Sequence, residues 1–141
     1  MNKNGPIIII EDDPDDQFFL ARIFKKLNYK NEIIFFFDGE KALQYLDTAE
    51  VIPFLILSDI KMPKLDGFAL REHLKAHPSV WVRSVPYLFF STALTQKVVT
   101  EAYAVSVQGV FVKESTLGEL EKTISVIMEY WSRCAGPNNL Q

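Results

Sequence analysis

The 141-residue chain is predicted to be one α/β domain, a doubly wound five-stranded parallel sheet with five helices. Three observations predict it. Short, almost wholly apolar runs, 7–10 and 54–57 among them, read as strands buried on both faces. Between them lie stretches whose apolar residues recur at helical spacing, the alternation that a parallel sheet with right-handed crossovers requires. A composition of 48% hydrophobic and 23% charged residues fits a globular chain, and the length suffices for one core but not two.

Residues 1–5 are polar and expected to form a flexible N-terminus ahead of a domain over 6–132. The β-branched run 7–10 is the first strand. It ends in Glu11-Asp12-Asp13-Pro14-Asp15-Asp16, where five of six residues are acidic. Asp13 suits a helix N-cap, Pro14 the first helical position, and Asp15 and Asp16 complement the helix dipole. Glu11 and Asp12 have no such role. Adjacent carboxylates at the mouth of a buried strand call for a cation, and a hard divalent ion is the candidate.

Phe19, Leu20, Ile23, Phe24 and Leu27 then mark the first helix over 17–27, closed by Lys25-Lys26. A second strand is expected over 31–37, and Asp38-Gly39 turns into a helix that carries Ala42, Leu43 and Leu46 inward. The third strand, 54–57, follows Pro53 and is stopped by Ser58-Asp59, so that a carboxylate reaches the surface. Met62-Pro63 and Gly67 shape the bend before a helix over 68–76, which His77-Pro78 ends. The connection 78–86 is longer than usual and holds Trp81, whose body is expected to pack while its edge stays wet. Strand four, 86–90, runs into Ser91-Thr92-Ala93; a helix over 95–105 follows, then strand five, 109–112, ending on Lys113. Thr116-Leu117-Gly118-Glu119 is a capping box for a long last helix with Leu117, Leu120, Ile124, Ile127, Met128 and Trp131 on one face. Val126 and Tyr130 form a second, weaker stripe that offers a small contact surface, homodimerisation included. Residues 133–141 read as a flexible tail.

Several classes are excluded. A net charge of −3 leaves no basic stripe for direct nucleic-acid binding. The single Cys134 supports neither a disulfide framework nor a thiolate metal site, and the cytoplasm is the expected compartment. No leader-like segment precedes strand one, and its apolar run is too short to cross a bilayer, so no membrane association is expected. His73 and His77 have the i, i+4 spacing of a zinc pair, but no His-Glu-x-x-His signature or third ligand accompanies them, and helix-end solvation is the expected role. Ser91 lacks a Gly-x-Ser-x-Gly elbow.

In doubly wound sheets, ligands bind at the carboxyl ends of the strands. Those ends carry Glu11-Asp12, Asp59, Thr92 and Lys113. Carboxylates, a hydroxyl and an ammonium on one edge suit phosphoryl chemistry: a divalent cation neutralises the acids, Lys and Thr supply positive charge and a hydrogen bond, and one carboxylate accepts the phosphoryl group.

On Glu11-Asp12, Ser58-Asp59 with Met62-Pro63 and Asp66-Gly67, Thr92-Ala93 and Lys113, the chain resembles the response-regulator receiver family, the CheY-like domains of two-component signalling. The resemblance covers 7–131 and implies the flavodoxin-like strand order 2-1-3-4-5. It implies that Asp59 takes a phosphoryl group from a phosphohistidine on a sensor histidine kinase or a histidine phosphotransfer protein. Mg²⁺ or Mn²⁺ would be held by Asp12, Asp59 and the backbone carbonyl of Lys61, with Glu11 acting through water. Thr92 and Lys113 would contact the phosphoryl oxygens, Thr92 moving the following loop to signal to a downstream protein. The chain would then catalyse only its own phosphorylation and dephosphorylation. With no output domain after it, the chain looks like a stand-alone receiver, and Met128-Glu129-Tyr130-Trp131 resembles the ending of small receivers that serve phytochrome-type kinases.

Three positions depart from the family. Glu114 stands where a proline after a cis peptide is usual, so the Lys113-Glu114 bond is either trans or a costly cis bond. Val110 replaces the usual aromatic switch residue. Lys61 and Leu94 occupy positions that tune phosphoryl lifetime. Two other readings compete: a pseudo-receiver that binds without phosphorylation, and a haloacid dehalogenase-like phosphatase, which would need an acid where Lys61 stands.

Overall fold

The computed structural model describes residues 2–136. Five strands, β1 (Ile7–Ile10), β2 (Ile33–Phe36), β3 (Leu55–Ser58), β4 (Tyr87–Ser91) and β5 (Gly109–Val112), form one parallel sheet in the order β2-β1-β3-β4-β5. Among the described residues there are six helices, not the expected five: α1 (Pro14–Leu27), α2 (Gly39–Thr48), α3 (Gly67–Lys75), α4 (Val80–Arg83), α5 (Gln96–Ala104) and α6 (Leu117–Arg133).

The extra helix, α4, is a single turn inside the long connection 78–86, where no element was expected. Four residues are too few to show helical periodicity, and tertiary contacts hold the turn instead. Val82 and the following Val85 are buried, and Arg83 Nη1 donates to the carbonyls of His77 at 2.7 Å and Pro78 at 3.0 Å. Trp81 stays 42% exposed.

Alternation along each strand builds two cores. Ile7 and Ile9 of β1 face α1 and α6, where they meet Leu20, Phe24, Ile124 and Ile127. Ile8 and Ile10 face the other side, with Ala42, Leu46, Leu70 and Leu74 of α2 and α3. All four isoleucines are essentially inaccessible, each contributing about 1.5–3 kcal/mol by burial. Continuous apolar strands are thus the consequence of helices on both faces.

The helix starts follow their caps. The side chains of Asp13, Asp38, Asp66, Thr95 and Thr116 each accept a backbone N–H in the first turn of the helix that follows. Asp13 and Pro14 therefore begin α1 a turn ahead of its apolar periodicity. Ahead of β1, Asn2 Nδ2 donates to Ile52 O at 2.8 Å, and Asn31 Nδ2 bridges the carbonyls of Lys3 and Gly5. The expected tail 133–141 lies mostly outside the described residues. No helix among the described residues is long and apolar enough to cross a membrane.

Candidate functional site

Backbone hydrogen bonds continue the parallel ladder one residue beyond three strands. Glu11 N donates to Phe36 O, Asp59 N to Ile10 O and Lys113 N to Ser91 O, each at 2.9 Å. These bonds fix the polar residues that follow β1, β3 and β5 to the rigid frame, and Thr92 follows β4 on the same edge. The sheet thereby gathers side chains from four separate segments.

Glu11, Asp12 and Asp59 each offer a carboxylate oxygen within 4.8 Å of the others. Three carboxylate oxygens from two strand ends form a hard donor set, which fits Mg²⁺ or Mn²⁺ better than a thiophilic ion. Asp59 is partly buried; its Oδ1 accepts from Ile60 N at 2.7 Å, and its carbonyl accepts from Ser58 Oγ at 2.6 Å. Oδ2 points to Lys113. Lys61, Thr92 and Ala93 line an open pocket of about 120 Å³ together with Asp59.

Lys113 crosses this edge. Its ammonium pairs with Glu11 and lies 3.1 Å from Asp16 Oδ2 and 3.5 Å from Asp59 Oδ2. Burial alone would lower its pKa, but the Glu11 hydrogen bond and the charges of Glu11, Asp59 and Asp16 outweigh it and hold the ammonium above its ordinary range. Glu11, 2% exposed, is pushed up to about 7 by burial, against the opposing pull of Lys113. Asp13 N donates to Glu11 Oε2 at 3.2 Å, and Gln17 Nε2 donates to the Glu11 carbonyl at 2.7 Å, tying this residue to α1. The cation that adjacent acids at a strand mouth call for is therefore supplied in part from within the chain.

The site residues expected from sequence lie together on this edge. One contact was not expected: Asp16, read only as a helix-dipole partner, binds Lys113 from 97 residues away. Position four after Asp12, in the first turn of α1, was the available signal, but nothing local points it at strand five. Among the described residues no peptide bond is cis, so the Lys113-Glu114 bond is trans. Val110 is half-buried against the core on the α2 and α3 side. His77 accepts from Ser79 N through Nδ1 and lies 3.5 Å from Asp47 through Nε2, so its contacts are those of a helix end.

Gly67 shows why no side chain is tolerated beside the loop that follows β3. It opens α3 with an ordinary negative φ, so it is not needed for a left-handed bend. A Cβ there would meet Asp59 O at 2.6 Å and Phe89 Cε1 at 2.7 Å. Close approach of α3 to the residue after β3 is what requires glycine.

The family model for the response regulator receiver domain matches residues 7–125. The probable methanogenesis regulatory protein FilR2 of Methanothrix harundinacea is 28% identical over 93% of this chain and 88% of its own length. The response regulator Rcp1 of Synechocystis sp. is 25% identical, covering 92% of this chain and 90% of Rcp1. The Mn²⁺-bound crystal form of Rcp1 superposes with a TM-score of 0.78 over 94% of this chain and 98% of that one. The phosphorylated cyanobacterial phytochrome response regulator RcpA, 24% identical, has the same fold, with a TM-score of 0.82 over 95% of this chain and 98% of RcpA.

Proposed function

With the chain a member of the response regulator receiver domain family, we propose that its Asp59 accepts a phosphoryl group from a phosphohistidine. The donor is a sensor histidine kinase or a histidine phosphotransfer protein. The observation that carries this reading is the convergence of the Glu11, Asp12 and Asp59 oxygens with the Lys113 ammonium on one sheet edge.

In the transfer, an Asp59 carboxylate oxygen forms the new bond to phosphorus as the phosphorus–nitrogen bond of phosphohistidine breaks. The imidazole nitrogen keeps the electron pair, and the product is an acyl phosphate. Asp12, Asp59 and the Lys61 carbonyl, with Glu11 in support, would hold Mg²⁺, whose chemistry would be charge neutralisation at the phosphoryl oxygens. Lys113 balances the charge gathered at Asp59, and the Thr92 hydroxyl, lining the same pocket as Asp59, donates to a phosphoryl oxygen. Movement of Thr92 and the loop after it would alter the surface read by a downstream protein. Because Val110 stands on β5, the output does not depend on an aromatic ring at that position.

Beryllium fluoride, which imitates an acyl phosphate, tests this reading. Saturable binding in the presence of Mg²⁺ that is lost in Asp59→Asn is expected. Failure of the wild-type chain to bind would favour a phosphorylation-independent module.

A further inference from the structure

A lysine ammonium has three N–H donors, and Lys113 meets three carboxylates with them: Glu11, Asp16 and Asp59. Two of the three, Glu11 and Asp59, belong to the oxygen cluster that suits a divalent cation; Asp16 does not. A cation held by that cluster competes for the same oxygens that hold the ammonium. Asp16 is then the one carboxylate left to Lys113 alone.

The lysine has somewhere else to go. Asp16 and Lys113 line a cavity of about 180 Å³ with Phe19, Thr92 and Leu120. The residue after Lys113 is Glu114, so no proline ring restrains the backbone there. The Asp16 carboxylate comes from α1, a separate element whose N-terminus is fixed by the Asp13 cap and by Gln17 on the Glu11 carbonyl. Asp16 thus ties the lysine to a rigid support that a cation does not share.

We propose that Asp16 is a positioning residue that holds the Lys113 ammonium beside Asp59 when the oxygen cluster is occupied by a cation. The proposal rests on the phosphoryl-acceptor reading of Asp59. Asp16 touches neither the acceptor nor the cluster; it acts through the lysine.

The test uses the full chain with Asp16→Asn and Asp16→Glu. Four quantities are measured: the rate of adduct formation from acetyl phosphate at saturating Mg²⁺, the Mn²⁺ dissociation constant without any donor, the melting temperature, and the hydrogen-exchange rate of the Lys113 ammonium followed by NMR. Asp16→Asn is expected to slow adduct formation by about tenfold, as small displacements of charged groups at a reacting centre do. It should leave Mn²⁺ affinity within about threefold, since only a screened neighbouring charge is lost. The ammonium should exchange faster even in the cation-free protein, and Asp16→Glu should recover most of the rate. A wild-type rate in Asp16→Asn overturns the proposal. So does a loss of Mn²⁺ affinity as large as the loss of rate, or slowing explained by a fallen melting temperature and not rescued by Glu. Absence of any adduct in the wild-type chain is a different failure, removing the acceptor reading and this proposal with it.

Discussion

The ammonium of Lys113, delivered by the end of β5, lies 3.5 Å from Asp59 Oδ2 at the end of β3, although β4 runs between the two strands. The lysine spans β4 to reach Asp59 and pairs also with Glu11, which follows β1 on the far side of β3. A divalent cation bound as proposed would therefore compete with the ammonium for the Glu11 and Asp59 oxygens.

Removing that competitor should tighten cation binding. In Lys113→Met, Mn²⁺ affinity is expected to rise about tenfold, the effect of deleting one like charge a few ångströms away in a partly screened site. The cation-free variant should at the same time be less stable, because Glu11, Asp16 and Asp59 are left facing one another. Calorimetric Mn²⁺ titration with a parallel thermal melt checks both; unchanged or weaker binding would contradict the competition.

Glu11 carries a pH dependence whose sign is fixed by its raised pKa. The folded chain holds the Glu11 proton up to about 7, whereas the unfolded chain releases it near 4.5. The folded state thus binds more protons between these values, so the Glu11 contribution to stability is complete below about 4.5 and is lost as pH rises through 7. Denaturation of the cation-free wild type against Glu11→Gln should show their difference falling over this window by up to about 3 kcal/mol. A difference that grows with pH would contradict the assignment.

Gly67→Ala should disturb the Asp59 backbone without touching any charged group. The added methyl meets the Asp59 carbonyl and the Phe89 ring, at a cost of about 2 kcal/mol for overpacking. Because the carbonyl belongs to Asp59 itself, Mn²⁺ affinity should fall along with the melting temperature. Loss of stability with unchanged affinity would show that the loop yields elsewhere.

Arg71 is a structural counterpart away from the site. It is 4% exposed, and its Nε and Nη2 donate to the carbonyls of Val105 and Ser106 at 3.2 and 2.7 Å, closing the end of α5 onto α3. Arg71→Ala leaves both carbonyls without that donor and should cost about 3 kcal/mol in chemical denaturation, while Mn²⁺ affinity stays at the wild-type value. A loss confined to a few tenths of a kcal/mol would show that water replaces the guanidinium.

What was legible in the sequence was whatever is written locally. The isoleucine run of β1 and the apolar run of β3 announce buried strands, and the polar residue after each strand announces a site on a shared edge. Asp13, Asp38 and Thr116 were readable as helix starts for the same reason. The single turn Val80–Arg83 was not, because it is held by burial of Val82 and by Arg83 reaching back to His77 and Pro78. Asp16 had a sufficient local explanation as a dipole partner, and its second role depends on Lys113, which only the folded sheet brings near. Gly67 suited a bend on sequence grounds, yet the constraint is the proximity of Phe89 from another strand.

Phosphoryl acceptance at Asp59, proposed to be served by a cation and by Lys113, is read most directly by intact-mass measurement after incubation with acetyl phosphate, with and without Mg²⁺. A gain of one phosphoryl group is expected in the wild-type chain only when Mg²⁺ is present, and no gain in Asp59→Asn. A wild-type chain that stays unmodified, or an equal gain in Asp59→Asn, would contradict it.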